Sequence, residues 1–296
     1  MTHTELLKSL SPQTKTNLIV RTNGAGLRHL VVYLVALTVT TTGLIVQIPL
    51  WPILILPQGI LLVFLFTLSH ECTHQTPFRS VWINEIIGNA IAPILALPFV
   101  WFRYFHLAHH KHTNDPDHDP ELAGSGRPAT RLSMLIYLSG WHYWRGNLRL
   151  LWSNATGRIS ALYLPKRRHF AMRREALLIL IFYGLAVISL FYTPILLRIW
   201  IIPVLCGQPF LRLYLLAEHG LCPAVTDMLQ NTRTTFTSRL IRALAWNMPY
   251  HAEHHCFPNV PFHKLPALND ITQEHLKSTS KGYSAFTADY VRSLEH

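Results

Sequence analysis

Four stretches of this chain hold about 20 mostly apolar residues each, the length a helix needs to cross a lipid bilayer. They run over 29–49, 51–69, 175–192 and 194–216. In hydrocarbon a backbone must satisfy its own N–H and C=O groups, and continuous apolar runs of this length do so as helices. Composition agrees. Half of the 296 residues are hydrophobic and 14% are charged, whereas a soluble domain carries about 25% charged residues. The runs pair into two hairpins that turn near Pro49–Pro52 and Thr193–Pro194, and neither turn holds a charge. The expected fold is an all-α integral membrane protein. Four transmembrane helices form two hairpins beneath a cytosolic helical cap.

Charge orients this arrangement. Of the 26 Lys and Arg residues, only Arg198 and Arg212 fall inside an expected span. The others lie in 1–28, 74–174 and after 217, which the positive-inside rule assigns to the cytosol together with both termini. Arg198 sits near a span end and can snorkel; Arg212 has to face protein or the membrane boundary. The net charge of +11 therefore points to anionic headgroups rather than nucleic acid, most clearly in "PKRRHFAMRRE" at 165–175. A fifth apolar stretch, 83–101, contains Asn84, Glu85, Asn89, Pro93 and Pro98. It reads as an interfacial or re-entrant segment. One domain over 1–296 is expected: a cytosolic segment 1–28, two spans in 29–69, a cytosolic or interfacial region 70–174, two spans in 175–216, and a cytosolic region 217–296. The N-terminus lacks the apolar core of a signal peptide. The membrane is a bacterial inner membrane or an equivalent endomembrane. The four cysteines form no C-x-x-C pair, so neither a disulfide framework nor a thiolate zinc site is indicated.

Histidine is the outlier of the composition, with 18 residues. His70 and His74 sit at the end of the second span, one helical turn apart and on one face. "FHLAHHKHT" places His106, His109 and His110 at i, i+3 and i+4. His219 follows the fourth span, and "YHAEHHC" repeats the H-x-x-H-H spacing with His251, His254 and His255. Neutral imidazole is the commonest metal ligand. One zinc needs three or four ligands, so nine histidines suffice for two metals. An all-nitrogen site suits iron, copper, zinc or nickel. Placement narrows the choice. All nine fall on the cytosolic side, at the mouth of an apolar bundle, where the substrate at hand is a lipid tail. Its C–H bonds are unactivated, so they call for a redox metal with O2. The segment "HECTH" also matches the H-E-x-x-H of zinc proteases, with Glu71 as base. That alternative leaves seven histidines without a role.

In this combination the boxes resemble those of the membrane fatty acid desaturase/hydroxylase superfamily. The likeness extends over about 30–270. It implies an oxidoreductase with a non-haem di-iron site: two iron ions held by His70, His74, His106, His109, His110, His219, His251, His254 and His255. It also implies O2 as co-substrate, a lipid or acyl substrate, and insertion of a double bond. The alternative within the family is hydroxylation of a carotenoid ring or another lipid. No His-Pro-Gly-Gly of a fused cytochrome b5 occurs. The implied electron donor is therefore a separate ferredoxin or cytochrome b5, attracted by the basic face.

Metal-bound histidines give their other N–H to a carboxylate or carbonyl. Glu71 and Glu253 lie inside the boxes, and Asn247 lies one turn before His251, so all three are candidates for such support. Asp115, Asp117, Asp119 and Glu121, with Pro116 and Pro120, read as a turn that can lend one carboxylate. His112 reads as a solvated neighbour and His142 as packed among aromatics. His3, His29, His118, His169, His263, His275 and His296 read as ordinary.

Overall fold

Apolar length decides which helices can enter a bilayer. In the computed structural model, which describes residues 1–123 and 126–295, three helical stretches qualify: Pro12–Val46, Trp51–His74 and Leu197–His219. A bent pair, Val81–Leu95 and Phe99–His112, would make a fourth if counted as one span. The chain is mostly helical, and among the described residues its strands are a two-residue parallel pair, Thr234–Thr235 with Thr279–Ser280. His296, expected to be ordinary, lies outside the described residues. The main helices in chain order are α1 (Asn23–Val46), α2 (Ile55–His74), α3 (Val81–Leu95), α4 (Phe99–His112), α5 (Arg131–Leu138), α6 (Trp141–Ala155), α7 (His169–Leu190) and α8 (Ile202–His219).

Helix α2 is the hub. Half of its apolar window is buried inside the protein, against 17% for the stretch containing α1. Val31, Val32, Val35 and Val39 of α1 stay exposed. An apolar surface of this extent needs a covering, and lipid provides one for a multi-pass membrane protein. Helices α2 and α8 cross so closely that a Cβ on Gly59 would lie 2.0 Å from the Pro203 carbonyl. One on Gly207 would lie 2.4 Å from the Gly59 carbonyl. Small residues at the crossing are how helices associate where no hydrophobic force drives them. One turn of π-helix, Leu197–Ile201, precedes α8. Gln58 of α2 donates to its Ile199 carbonyl at 3.0 Å and to Thr41 at 3.0 Å, and accepts from Thr40. Arg198 reaches the Leu44 carbonyl and lies over the Trp51 ring, so its charge is held near the span end.

The stretch expected at 83–101 is the bent pair α3–α4, whose axes meet at 98°. Ala96 adopts a left-handed φ of 55°, and Pro98 caps the next helix. The first amides of α4 have no intrahelical acceptor. The buried Glu175 carboxylate of α7 accepts from them, at 2.6 Å from Phe99 N and 3.0 Å from Val100 N. Helix α7 takes in residues 175–190 of the expected span 175–192. Arg173, Arg174 and Glu175 lie in its second turn, so its apolar part is shorter than those of the three qualifying stretches. Leu178, Ile181, Leu185 and Ile188 nevertheless face outward.

Candidate metal centre

Each histidine group sits where its helix ends. Helix α2 closes at Gln75 in a left-handed conformation, just after His74. His106, His109 and His110 occupy the last two turns of α4, and His219 is the last residue of α8. Two consecutive left-handed residues, Trp246 and Asn247, turn the chain into α9 (His251–Cys256), which carries the third box. All nine histidines are buried or half-buried, and they converge in two adjoining groups. His70, His74, His106, His110 and His254 bring one ligand atom each within 4.8 Å of one another. So do His109, His219 and His255. His251 joins the second group through an Nε2–Nε2 distance of 3.1 Å to His255. The groups meet where the His110 and His255 rings stack, with centroids 4.0 Å apart.

The spacing of the nitrogens suits a cation. His106 Nε2 lies 2.8 Å from His74 Nε2 and 2.9 Å from His110 Nε2. His110 Nε2 is also 3.1 Å from His254 Nε2. An imidazole nitrogen has one proton or one lone pair, so it can hydrogen-bond only one of two such neighbours. Nitrogens about 2.1 Å from a shared metal, at right angles, would stand about 3 Å apart. Both ring nitrogens of His70 are buried without a hydrogen-bond partner among the described residues, which costs free energy unless another atom serves them. Burial, then the neighbouring imidazoles, push His251, His254 and His255 well below the ordinary histidine pKa. All three are neutral at pH 7, with lone pairs available to a metal.

A surrounding shell aims the rings. His109 Nδ1 donates to both Asp119 oxygens, at 2.9 and 3.0 Å. Asp119 is itself fixed by the amides of Asn114 and Glu121. His219 Nδ1 donates to the Asn231 carbonyl, and His255 Nδ1 lies 3.1 Å from the Thr113 hydroxyl. Glu71 stands between His254 and His70, at 3.6 and 3.9 Å, and Glu218 is 3.5 Å from His251. Of the three expected supporting residues, only Glu71 approaches the histidines. Asn247 donates to the Phe262 carbonyl and closes its own turn. Glu253 lies about 200° around α9 from His251. There it accepts from Thr234, Asn269 and Thr272, tying α9 to the strand pair and to α10 (Leu265–Thr272). Glu218 was missed, although it directly precedes the lone His219. Asn231 and Thr113 gave no signal that their residue types could carry. Replacing Asp119 by Asn should weaken metal binding by about 10–100-fold. Metal titration of the purified protein checks this, and an unchanged affinity would remove Asp119 from the shell.

The zinc-protease alternative fails on geometry. Glu71 is fully buried, bonds Thr76, and does not line the adjoining cavity, so it has no access to a substrate. His112 stacks on His118 at the surface, where Asp115 accepts from His118 at 2.9 Å. This trio stands apart from the nine.

A cavity of about 470 Å³ reaches the centre. His70, His106, His109, His219 and His251 line its inner end, and Phe66, Trp101, Phe102 and Phe105 form one wall. His142, expected to be packed among aromatics, lines it as well. Aromatic and aliphatic side chains thus border a cavity that reaches the pair of histidine clusters.

Comparison with known proteins agrees. The pattern of the family described as "Fatty acid desaturase" matches residues 47–287. A bifunctional fatty acid conjugase/Delta(12)-oleate desaturase of Punica granatum is 26% identical over 196 residues, 57% of this chain and 48% of that protein. An sn-1 oleoyl-lipid 12-desaturase of Anabaena variabilis is 22% identical over 253 residues, 76% and 69% of the two chains. An sn-1 acyl-lipid omega-3 desaturase (ferredoxin) of Nostoc sp. (strain 36) is 35% identical over 69 residues, 23% and 19%. The chain thus spans about half the length of the Punica relative. Because the family match covers most of the chain, including all nine clustered histidines, this protein belongs to the fatty acid desaturase family.

Proposed function

We propose that the chain is an O2-dependent membrane oxidoreductase that inserts a double bond into an acyl chain. The observation that carries this reading is the pair of adjoining histidine groups at the inner end of an aromatic-walled cavity. The relatives named for oleoyl and acyl-lipid substrates support it. In this reading His70, His74, His106, His110 and His254 hold one iron. His109, His219, His251 and His255 hold the other. Bound iron supplies the O2 chemistry that an unactivated C–H bond requires. The protein's part is placement, since errors of about 1 Å can cost about a hundredfold in rate. Phe66, Trp101, Phe102 and Phe105 would hold a methylene against the centre and keep water away.

The same proposal includes the topology. Helices α1, α2, α7 and α8 cross the membrane as two hairpins of a single domain, with both termini and the histidine boxes in the cytosol. The membrane is a bacterial inner membrane or an equivalent endomembrane. The electron donor is a separate acidic protein of the ferredoxin or cytochrome b5 type; the Nostoc relative's name supports ferredoxin, and a basic cytosolic face would steer either. Metal analysis of the purified protein, with lipid profiling of an expressing host by mass spectrometry, tests the reading. About two irons per chain and a lipid lacking two hydrogens are expected. One zinc without iron would overturn it, and a product that has gained oxygen would make the enzyme a hydroxylase.

A further inference from the structure

Arg212 enters the same cavity from α8, two helical turns before His219. At 1.5 Å per residue the two Cα atoms are about 10 Å apart along the helix axis. The residue is only 9% exposed. Its Nε and Nη2 are buried and have no hydrogen-bond partner among the described residues. The position is nonetheless well defined. The guanidinium lies 4.6 Å over the Tyr143 ring and 6.0 Å from the Tyr137 ring. Tyr143 is anchored by donating to the Leu95 carbonyl at 2.5 Å. The Tyr137 hydroxyl donates to the Arg212 carbonyl at 3.1 Å. On α6, one turn beyond Tyr143, Asn147 also lines the cavity, and its Nδ2 is buried without a partner.

Two donors held still and left unanswered are costly in a fold, and a buried unpaired charge costs more. Arginine has five N–H groups and no lone pair, so whatever completes it must accept. Glu121 and Glu218 line the same cavity and feel the charge of Arg212, but neither forms an ion pair or hydrogen bond with its guanidinium among the described residues. The wall beside Arg212 is otherwise built largely of rings and aliphatic carbon. We propose that Arg212, assisted by Asn147, is a specificity site that grips a hydrogen-bond-accepting oxygen on the substrate chain, two helical turns from the reacting carbon. Its ligand class is a carboxylate, an ester carbonyl or a hydroxyl oxygen. The site would select lipids that carry such an oxygen over plain hydrocarbon and would fix which methylene meets the histidines. This deepens the reading above and rests on it for the identity of the reacting group.

The test is binding to metal-free protein in detergent. Oleic acid, methyl oleate and 1-octadecene compete in turn for a fluorescent acyl probe. The wild type should bind the acid or the ester at least about tenfold more tightly than the hydrocarbon, the range of a hydrogen bond to a charged group. Which of the two is preferred tells a carboxylate from a carbonyl. Arg212→Leu should abolish the difference while leaving 1-octadecene binding unchanged. Arg212→Lys should recover only part of it, because an ammonium lacks the planar fork. Thermal melting of Arg212→Leu checks that the variant folds, since it loses the packing on Tyr143 and the attraction of Glu121 and Glu218 along with a buried charge that has no ion-pair partner among the described residues. If that variant unfolds, Asn147→Leu and Arg212→Gln make the same comparison. Equal affinities in the wild type, or a preference that survives Arg212→Leu and Arg212→Gln, would overturn the proposal. An oxygen preference without any desaturated product would sink the proposed reaction and leave this site standing. Product formed without the preference would do the reverse.

Discussion

Replacing His110 by alanine is expected to abolish the proposed desaturation and to lower the proposed metal content by at least one ion per chain. His110 is singled out by position. Its Nε2 approaches both His106 and His254, at 2.9 and 3.1 Å, and its ring stacks on His255 of the neighbouring group. Alanine removes a donor from one group and the wall that the two groups share. Supporting residues around a metal account for about 10–100-fold in affinity or activity, so loss of a direct ligand should exceed about 100-fold. Metal content and lipid product are the two readouts. The fold should survive, because neighbours from α2 and α9 still pack there. A His110→Ala protein that retained full metal and activity would remove His110 from the proposed ligand set.

The second large effect lies deep among the helices. Gly207→Val should prevent α2 and α8 from meeting. Even the first carbon of the new side chain would stand 2.4 Å from the Gly59 carbonyl. Backbone cannot yield there as a flexible side chain would. Overpacking in a yielding core costs about 1–3 kcal/mol; here the cost should reach or exceed the top of that range. The melting temperature should fall by about 10 °C, or the protein should aggregate in detergent. Gly184→Ala is the control, since nothing lies within 4 Å of its added Cβ. If Gly207→Val melted like the wild type, the close crossing would not hold these helices together.

How much of this was legible in the sequence differs from residue to residue. Apolar length alone located α1, α2 and α8, because a bilayer makes run length a physical constraint. It described α7 less well. The cluster Arg173, Arg174 and Glu175 looked like a boundary, but Glu175 serves as the cap of α4. Spacing gathered all nine histidines, since i, i+3 and i+4 fix a face without any tertiary information. Spacing could not say which carboxylates would support them. Asp119 reaches back to His109 from ten positions further along, beyond the end of α4, and Glu218 reaches His251 from another helix. Glu253 and Asn247 were close in sequence yet were claimed by local packing. Arg212 was visible as an oddity within a span; only the cavity gave it a context.

The elbow at Pro98 has a consequence for the order in which the molecule comes together. Helix α4 carries three of the histidines, and its first amides are held by a side chain 75 residues further along, on α7. The remaining histidines arrive later still, at 219 and then at 251–255. During synthesis the two amino-terminal groups therefore emerge long before the corner that aims them is locked. One cluster waits for His254 and the other for His255 to leave the ribosome. A nascent chain thus holds only partial, mispointed sets of imidazoles, and the proposed metal coordination would await a folded protein.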